Sequence, residues 1–497
     1  MSESGRDRET VVEPTIFELS SPGRRGFDLP PLDVPEIDPA EAFGRENVRS
    51  AAAELPELSE PDVVRHFTRL AEMNYHIDRC IYPLGSCTMK YNPKIHEELA
   101  GRSGFARLHP EAPVESVQGA LALMYHLARA LAEISGMDEV SLQPAAGAAG
   151  ELAGMLITRA YHTDRGNPRS KVIVPDSAHG TNPASLTLAG YEPVQIVSGP
   201  DGRIDLEALR AAVDDETAAV MVTNPNTLGV FETQIADVIE IVHAAGGLVY
   251  LDGANLNAQM GLVRPGEIGF DLMHFNLHKT FSTPHGGGGP GSGPVGVKAF
   301  LADYLPKPVV VRDEARSTGV EYLLDHDRPR SIGRIHAAYG NFLVMVKAYA
   351  YILRLGPSGL RKVSENAVLN ANYLQALLAP HYELPHKGYC QHEFVLSADR
   401  QKRQGVRALD VAKMLLDLGA HAPTVYFPLI VSEALMIEPT ETESRESLDA
   451  FVAAMAAIAE ASDSDPESVR AAPRTTPVGR LDEARAAREL DVVWEKM

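Results

Sequence analysis

The feature that most restricts this chain's fold is a series of short, unbroken apolar runs alternating with helical patterns between Lys171 and His278. "KVIVPD", "PVQIVS", "AAVMVTN", "GGLVYLDG" and "LMHFNLH" are rich in β-branched residues and have the length of strands. They read as continuously apolar, not as an apolar/polar alternation, which suits a parallel sheet covered by helices on both faces. "DLEALRAAVDDE" and "QIADVIEIVHAAGG" supply helices between them. A layered α/β domain follows, and such domains place their sites at the carboxyl ends of the strands.

At 497 residues the chain exceeds one comfortable hydrophobic core. Its first 60 or so residues are rich in proline and charge, with "SSPGRRGFDLPPLDVPEID" at the centre. That composition predicts an extended arm that buries little by itself. Helical periodicity begins near Val114 in "VESVQGALALMYHLARALAEISG" and stops at Gly136. Beyond Gly333 come two long helical patterns, "IHAAYGNFLVMVKAYAYILRLG" and "GLRKVSENAVLNANYLQALLAP". The strand-like "HEFVLS" and "ALMIEP", with helices at "ALDVAKMLLDLG" and "SRESLDAFVAAMAAIAEAS", complete a smaller α+β unit. The expected organisation is an arm at 1–60, a large domain at 61–332, and a small C-terminal domain with a tail at 333–497.

Composition removes several classes of partner. Lysine and arginine number 46 against 67 acids, a net charge of −21, which argues against nucleic acid or an anionic membrane surface. The longest apolar runs, such as "FVAAMAAIA", fall far short of a membrane span. The N-terminal "MSESGRDRET" has neither the apolar core of a secretion signal nor the acid-poor character of a transit peptide. Three cysteines, Cys80, Cys87 and Cys390, form no C-x-x-C pair, so neither a disulfide framework nor a structural zinc site is expected. A reducing cytoplasm is the expected location, with the three thiols free.

The glycine cluster after "HFNLHKTFSTPH" invites a nucleotide reading, because Gly286, Gly288 and Gly291 satisfy G-x-G-x-x-G, as do Gly291, Gly293 and Gly296. A dinucleotide fingerprint needs a strand before it and a helix after it; here a strand-like "GPVGVKAF" follows. "HGGGG" resembles an oxyanion loop, but no G-x-S-x-G elbow accompanies it, and no P-loop motif is present. What remains is a flexible loop beside Lys279. Asp252 and Lys279 both fall at the ends of apolar runs. They could form an ordinary ion pair; the sharper reading is a pyridoxal phosphate site, with the lysine amine as nucleophile toward the aldehyde and the aspartate on the ring nitrogen. "QPAAGAAGE" opens a helix with Gly147, Ala148 and Ala149, small residues that let a phosphate approach backbone N–H groups. His179 in "VPDSAHGTNPAS" could stack on one ring face, and Ala254 could touch the other. Together these order themselves as a fold-type-I site.

The longer motifs "IYPLGSCTMKYNPK", "QPAAGAAGE", "PDSAHGTNPAS", "TNPNTLGVFE", "DGANLNAQMG", "NLHKTFSTPHGGGGPG", "HAPTVYFP", "MIEPTETES" and "TPVGRLDEARAAR" closely resemble glycine decarboxylase, the P-protein of the glycine cleavage system. The resemblance covers nearly the whole chain. The single-chain form of that family is about twice as long, so this length and the retained lysine resemble subunit 2 of the two-subunit bacterial and archaeal form. The resemblance implies the aspartate-aminotransferase-like fold, pyridoxal 5'-phosphate, and a heterotetramer of two copies of each subunit. It also implies glycine decarboxylation with transfer of the aminomethyl group to the lipoyl arm of H-protein and release of CO2. Carried over residue by residue, Lys279 bears the cofactor, Asp252 holds its ring nitrogen and His179 stacks on the ring. His278 with the Ala148–Ala149 turn helps hold the phosphate. Ser86 or Thr88, in "GSCTMK", would contact the substrate carboxylate, and Lys90 beside them stays open between carboxylate binder and turn charge. Two rivals remain at this level. One is another fold-type-I enzyme such as a cysteine desulfurase, for which no cysteine sits in a recognisable sulfur-accepting loop. The other is a non-catalytic scaffold, against which the joint retention of Asp252 and Lys279 speaks.

Overall fold

The computed structural model describes residues 13–109, 111–286, 289–313 and 319–493; Gly288 and the first 12 residues of the arm lie outside these. Two compact units divide the chain: Met1–His76 with Pro473–Met497, and Ile77–Ala472. In the first, residues 14–38 contain only turns and bends, as their proline content predicts. A helix at Glu60–Glu72 follows, started by Ser59 as N-cap. Large apolar side chains in the arm, Phe27, Leu29, Leu32, Val34, Ile37 and Phe43, are exposed.

The second unit is built on a seven-stranded sheet. Its strands are β1 (Glu139–Ser141), β2 (Lys171–Pro175), β3 (Glu192–Ile196), β4 (Thr217–Thr223), β5 (Leu248–Asp252), β6 (Leu272–His274) and β7 (Val295–Val297). Their spatial order is β1-β7-β6-β5-β4-β2-β3. Strands β6, β5, β4, β2 and β3 run parallel, while β7 is antiparallel to both of its neighbours. All seven residues of β4 and all five of β5 are buried, the mark of strands covered on both faces. One core, with Leu127, Val220, Val249 and Phe275, and another, with Met155, Val174, Met221 and Tyr250, supply that cover.

A three-stranded antiparallel sheet of β10 (Phe394–Ser397), β12 (Ala434–Ile437) and β11 (Thr424–Val425) gathers a further core that includes Leu374, Leu415 and Phe451. A two-stranded ribbon, β8 (Val309–Arg312) with β9 (Tyr322–Asp325), completes the strands of the described residues.

Two expectations shift in detail. The helical pattern from Ile335 becomes a helix only at Phe342, because Gly340 adopts φ +90 against the Leu142 carbonyl. The two long helical patterns stand as two helices within Phe342–Leu378, divided at Gly356, whose φ of +60 precedes Pro357. "LMHFNLH" is regular strand only to His274; Phe275 and Leu277 still donate to the carbonyls of Pro294 and Ser292, at 2.8 and 3.1 Å. Lys279 therefore lies in a turn two residues past the last ladder bond. The stop at Gly136 is as expected, with φ +72.

The helix Gly147–Asp164 crosses the sheet at close range because glycines line its inner side. A Cβ at Gly154 would fall inside contact distance of the fully buried Tyr250 ring. Gly154→Ala is therefore expected to lower stability by about 1–3 kcal/mol in urea unfolding. Gly104→Ala, where nothing lies within 4 Å, is expected to change it by less than about 0.5 kcal/mol.

Candidate functional site

Parallel strands leave their carboxyl ends on one edge, and β5 ends there on Asp252. Its side chain is 2% exposed, so its charge has to be met by neighbours. One oxygen accepts from the Ala254 N–H at 3.0 Å, and the other from Asn182 Nδ2 at 3.1 Å. His274, at the end of β6, brings Nε2 to 3.4 Å from the first oxygen. Burial pushes the carboxyl up, but His274, these two donors and Lys279 together bring it below the usual aspartate value.

The network continues in both directions. Tyr250, on the same face of β5 as Asp252, places its hydroxyl 2.8 Å from His274 Nδ1. On the other side, Asn182 Nδ2 also donates to Glu151 at 3.1 Å. Glu151 lies on the helix Gly147–Asp164 and accepts in addition from Thr181 Oγ1 at 2.9 Å and Ser185 Oγ at 3.2 Å. Thr181 Oγ1 in turn lies 2.8 Å from His179 Nδ1. One continuous chain of polar contacts thus links Tyr250, His274, Asp252, Asn182, Glu151, Thr181 and His179. His179 is held neutral at neutral pH, its imidazole lowered by burial first and the Lys279 charge second.

Lys279 is half-buried, and among the described residues no hydrogen bond or ion pair engages its Nζ. Its charge acts on His179, Asp252, His278, His285, Cys87, Glu393 and Glu438. His278 accepts from the Ser292 N–H at 3.2 Å, and His285 Nε2 donates to the Cys87 carbonyl at 2.9 Å. Burial, then Lys279, lowers His278 to about 3 and His285 to about 4.

The helix start expected at Gly147 is there, and no side chain caps it. Its first N–H groups therefore have no partner within the helix. A Cβ at Gly147 would clash with the Asn276 amide, so glycine there lets the helix start sit against the chain leading to His278. Ala148 is exposed and Ala149 half-buried. Several buried polar atoms in this region have no hydrogen-bond partner: Asn276 Oδ1, Ser292 Oγ, Thr280 Oγ1 and Thr283 Oγ1.

Ser86 and Thr88 occupy a strained turn, with φ +66 and +49. The Ser86 N–H donates to Glu393 at 2.8 Å, and Thr88 gives both its N–H and its hydroxyl to Glu438, at 2.9 and 2.5 Å. Lys90 is fully buried and committed to Glu441 at 2.8 Å and the Thr280 carbonyl at 2.8 Å. All three cysteines are free. Burial pushes the Cys87 thiol to about 11 and Cys390 to about 12, which disfavours the reactive thiolate.

The sequence reading missed Tyr250, Glu151, Asn182, His274, Glu393 and Glu438. Asn182 and Glu151 sat inside quoted motifs, "PDSAHGTNPAS" and "QPAAGAAGE". A polar residue amid an apolar or small-residue run was the available signal.

A mostly parallel sheet with a buried, ionised aspartate at one strand end and an unpaired lysine just past the next defines a class. It is the fold of the fold-type-I pyridoxal phosphate enzymes, and residues 148–288 match the aminotransferase class-V family. The chain belongs to the glycine dehydrogenase (decarboxylating) subunit 2 family. It is 57% identical over 481 residues to a probable member from Chlorobium phaeobacteroides, covering 97% of this chain and 99% of that one. A probable member from Bacillus licheniformis is 58% identical over 482 residues, with coverage of 97% and 98%. Residues 363–473 match the glycine dehydrogenase C-terminal domain. A crystal structure of glycine decarboxylase (P-protein) of the glycine cleavage system, in inhibitor-bound form, shares the fold. Its TM-score is 0.73 at 24% identity, over 84% of this chain and 94% of that one. No helix of the described residues is long and apolar enough to cross a membrane.

The depressed histidines have a consequence for stability. Unfolded histidines titrate near 6.5, whereas folded His285 and His278 stay neutral down to about 4 and about 3. Between those values the unfolded chain binds more protons, so stability rises with pH there and is lost as pH falls. Urea unfolding of the cofactor-free chain is expected to weaken by up to about 1.4 kcal/mol per pH unit for each such histidine. His285→Gln should remove one histidine's share of that slope.

Proposed function

We propose that this chain is the lysine-bearing subunit of a glycine decarboxylase. It would decarboxylate glycine with pyridoxal 5'-phosphate and pass the aminomethyl group to the lipoyl arm of H-protein. The observation that carries this reading is the unpaired, half-buried Lys279 amine at the same sheet edge as the buried, ionised Asp252. Membership in the subunit 2 family supports the substrate and a partner subunit 1; the assembly proposed with it has two copies of each.

The residues fit the cofactor. Asp252 would take the ring nitrogen, and because Asn182, Ala254 and His274 already fix its carboxylate, it arrives aligned and charged. His179 would lie against one ring face, oriented by Thr181, with Ala254 on the other. The uncapped helix start at Gly147, Ala148 and Ala149 offers N–H donors to a phosphate, joined by His278 and the unpartnered Ser292 hydroxyl. When bound, the cofactor supplies an aldehyde for an amine and a ring that accepts the electron pair left by carbon dioxide. Lys279 must then hold and release a proton at Nζ, which an amine free of ion pairs can do. Of the two proposed substrate-side residues, Ser86 is better placed than Thr88, whose N–H and hydroxyl are both given to Glu438.

We further propose that the chain works in the cytoplasm, through an arm at 1–60, a large domain at 61–332 and a small domain at 333–497. The test combines the chain with its partner subunit, H-protein and glycine, and follows labelled bicarbonate into the glycine carboxyl. Lys279→Ala is expected to abolish both the exchange and the cofactor's absorbance band. Asp252→Asn should cut exchange by about a hundredfold or more. Full exchange in Lys279→Ala would sink the reading, and no chromophore in the wild-type mixture would favour a scaffold instead.

A further inference from the structure

Glu393 immediately precedes β10, and Glu438 immediately follows β12. The antiparallel register pairs Phe394 with Ile437, so the two glutamates emerge side by side at one end of the small sheet. Both side chains are 0% exposed. Ligand-type atoms of His392, Glu393 and Glu438 lie within 4.8 Å of one another. Among the described residues no arginine pairs with either carboxyl. Lys90 is already bound by Glu441, and among the described residues Lys279 makes no ion pair. His392 is equally buried, 3.9 and 3.8 Å from the two carboxyls, and neither of its ring nitrogens has a hydrogen-bond partner.

We infer that Glu393 and Glu438 retain one proton between them above neutral pH, carried by Glu393, so that Lys279 faces one buried negative charge on this side instead of two. Two adjacent carboxylates out of water cannot both ionise without a cation between them. Glu438 is the ionised member because Thr88 donates to both of its oxygens and Lys90 acts on it. Glu393 also accepts at both oxygens, from the Ser86 N–H at 2.8 Å and the Asn255 amide at 3.1 Å, but the Asn255 amide is shared with the Pro225 carbonyl, which it reaches at 2.8 Å. Burial, then Glu438, drives Glu393 well above the carboxylate range, whereas burial takes Glu438 to about 7 against the pull of Thr88, Lys279 and Lys90. Cys87, pushed up by burial, stays a neutral thiol, and His392, lowered by burial to about 3, brings no positive charge.

The use of this proton rests on the reading of Lys279 given above. A second ionised carboxylate would further favour the ammonium form of the amine, which is no nucleophile. Glu393 and Glu438 are thus positioning residues that act through the charge they present to Lys279.

The test uses the full-length, cofactor-free chain with glutamate carboxyls labelled with carbon-13. Infrared spectra above neutral pH are expected to contain the carbonyl stretch of a buried carboxylic acid, which needs no variant to observe. Its absence from the wild type overturns the inference. Glu393→Gln should lose the band. Glu438→Gln should keep it at low pH and titrate it away at least about one unit lower, since the like charge is gone. The second readout is the pH dependence of acetylation at Lys279, followed by mass spectrometry. Glu438→Gln should lower the apparent amine pKa by about one unit, and Glu393→Gln should leave it in place; equal shifts in both variants overturn the assignment. Pyridoxal phosphate binding, scored separately by absorbance, bears only on the proposed function. Failure to bind would sink that reading while the infrared result stands.

Discussion

The buried charge of Asp252 is the constraint around which the rest of the site is arranged. A carboxylate at 2% exposure is costly unless donors and a positive neighbour meet it. Every contact it makes comes from a different element: Asn182 from the helix after β2, Ala254 from the turn after β5, His274 from the end of β6. Those elements are brought together by the parallel ladder, so the sheet order is a condition for the charge. The converse also holds. Removing one donor would leave an acid that is easier to protonate, and a protonated Asp252 could no longer hold a ring nitrogen as an ion.

Close packing makes the arrangement stiff. The helix carrying Glu151 can reach Asn182 only because Gly150 and Gly154 let it lie on Gly293, His274 and Tyr250. Tyr250 fills that contact and sets its hydroxyl against His274 Nδ1, so one ring serves both the core and the polar chain. A side chain inserted at these glycines would lift the helix start, and with it the unclaimed N–H groups at Gly147–Ala149. Packing and the proposed anion site are therefore coupled through the same few residues.

Much of this was legible in the sequence, for a definite reason. Continuous β-branched runs such as "AAVMVTN" have no other stable placement than a sheet covered on both faces, and Asp252 and Lys279 stood out as ionisable groups at the ends of such runs. Glu393 and Glu438 stood at equally apolar runs, "HEFVLS" and "ALMIEP", yet their meaning depends on an antiparallel register joining distant segments. His274 was hidden differently. It sits within a strand, where a lone histidine reads as a satisfied core residue, and only the parallel pairing of β5 with β6 sets it against Asp252. The break at Gly356 was signalled by glycine before proline, whereas the late start at Phe342 depends on a contact between Gly340 and Leu142 that no local pattern encodes.

The surroundings of Lys279 are asymmetric. On the large-sheet side a single acid is kept ionised by dedicated donors. On the small-sheet side two acids crowd together without a cation of their own and are driven toward protonation. Full ionisation on both sides would favour the ammonium form of the amine. Full neutrality would leave nothing to balance a charged ring. The imidazoles of His179, His278 and His285 are all lowered, so they add no positive charge near neutral pH. Among the described residues the amine is thus held by no ion pair, which suits the nucleophile proposed for it.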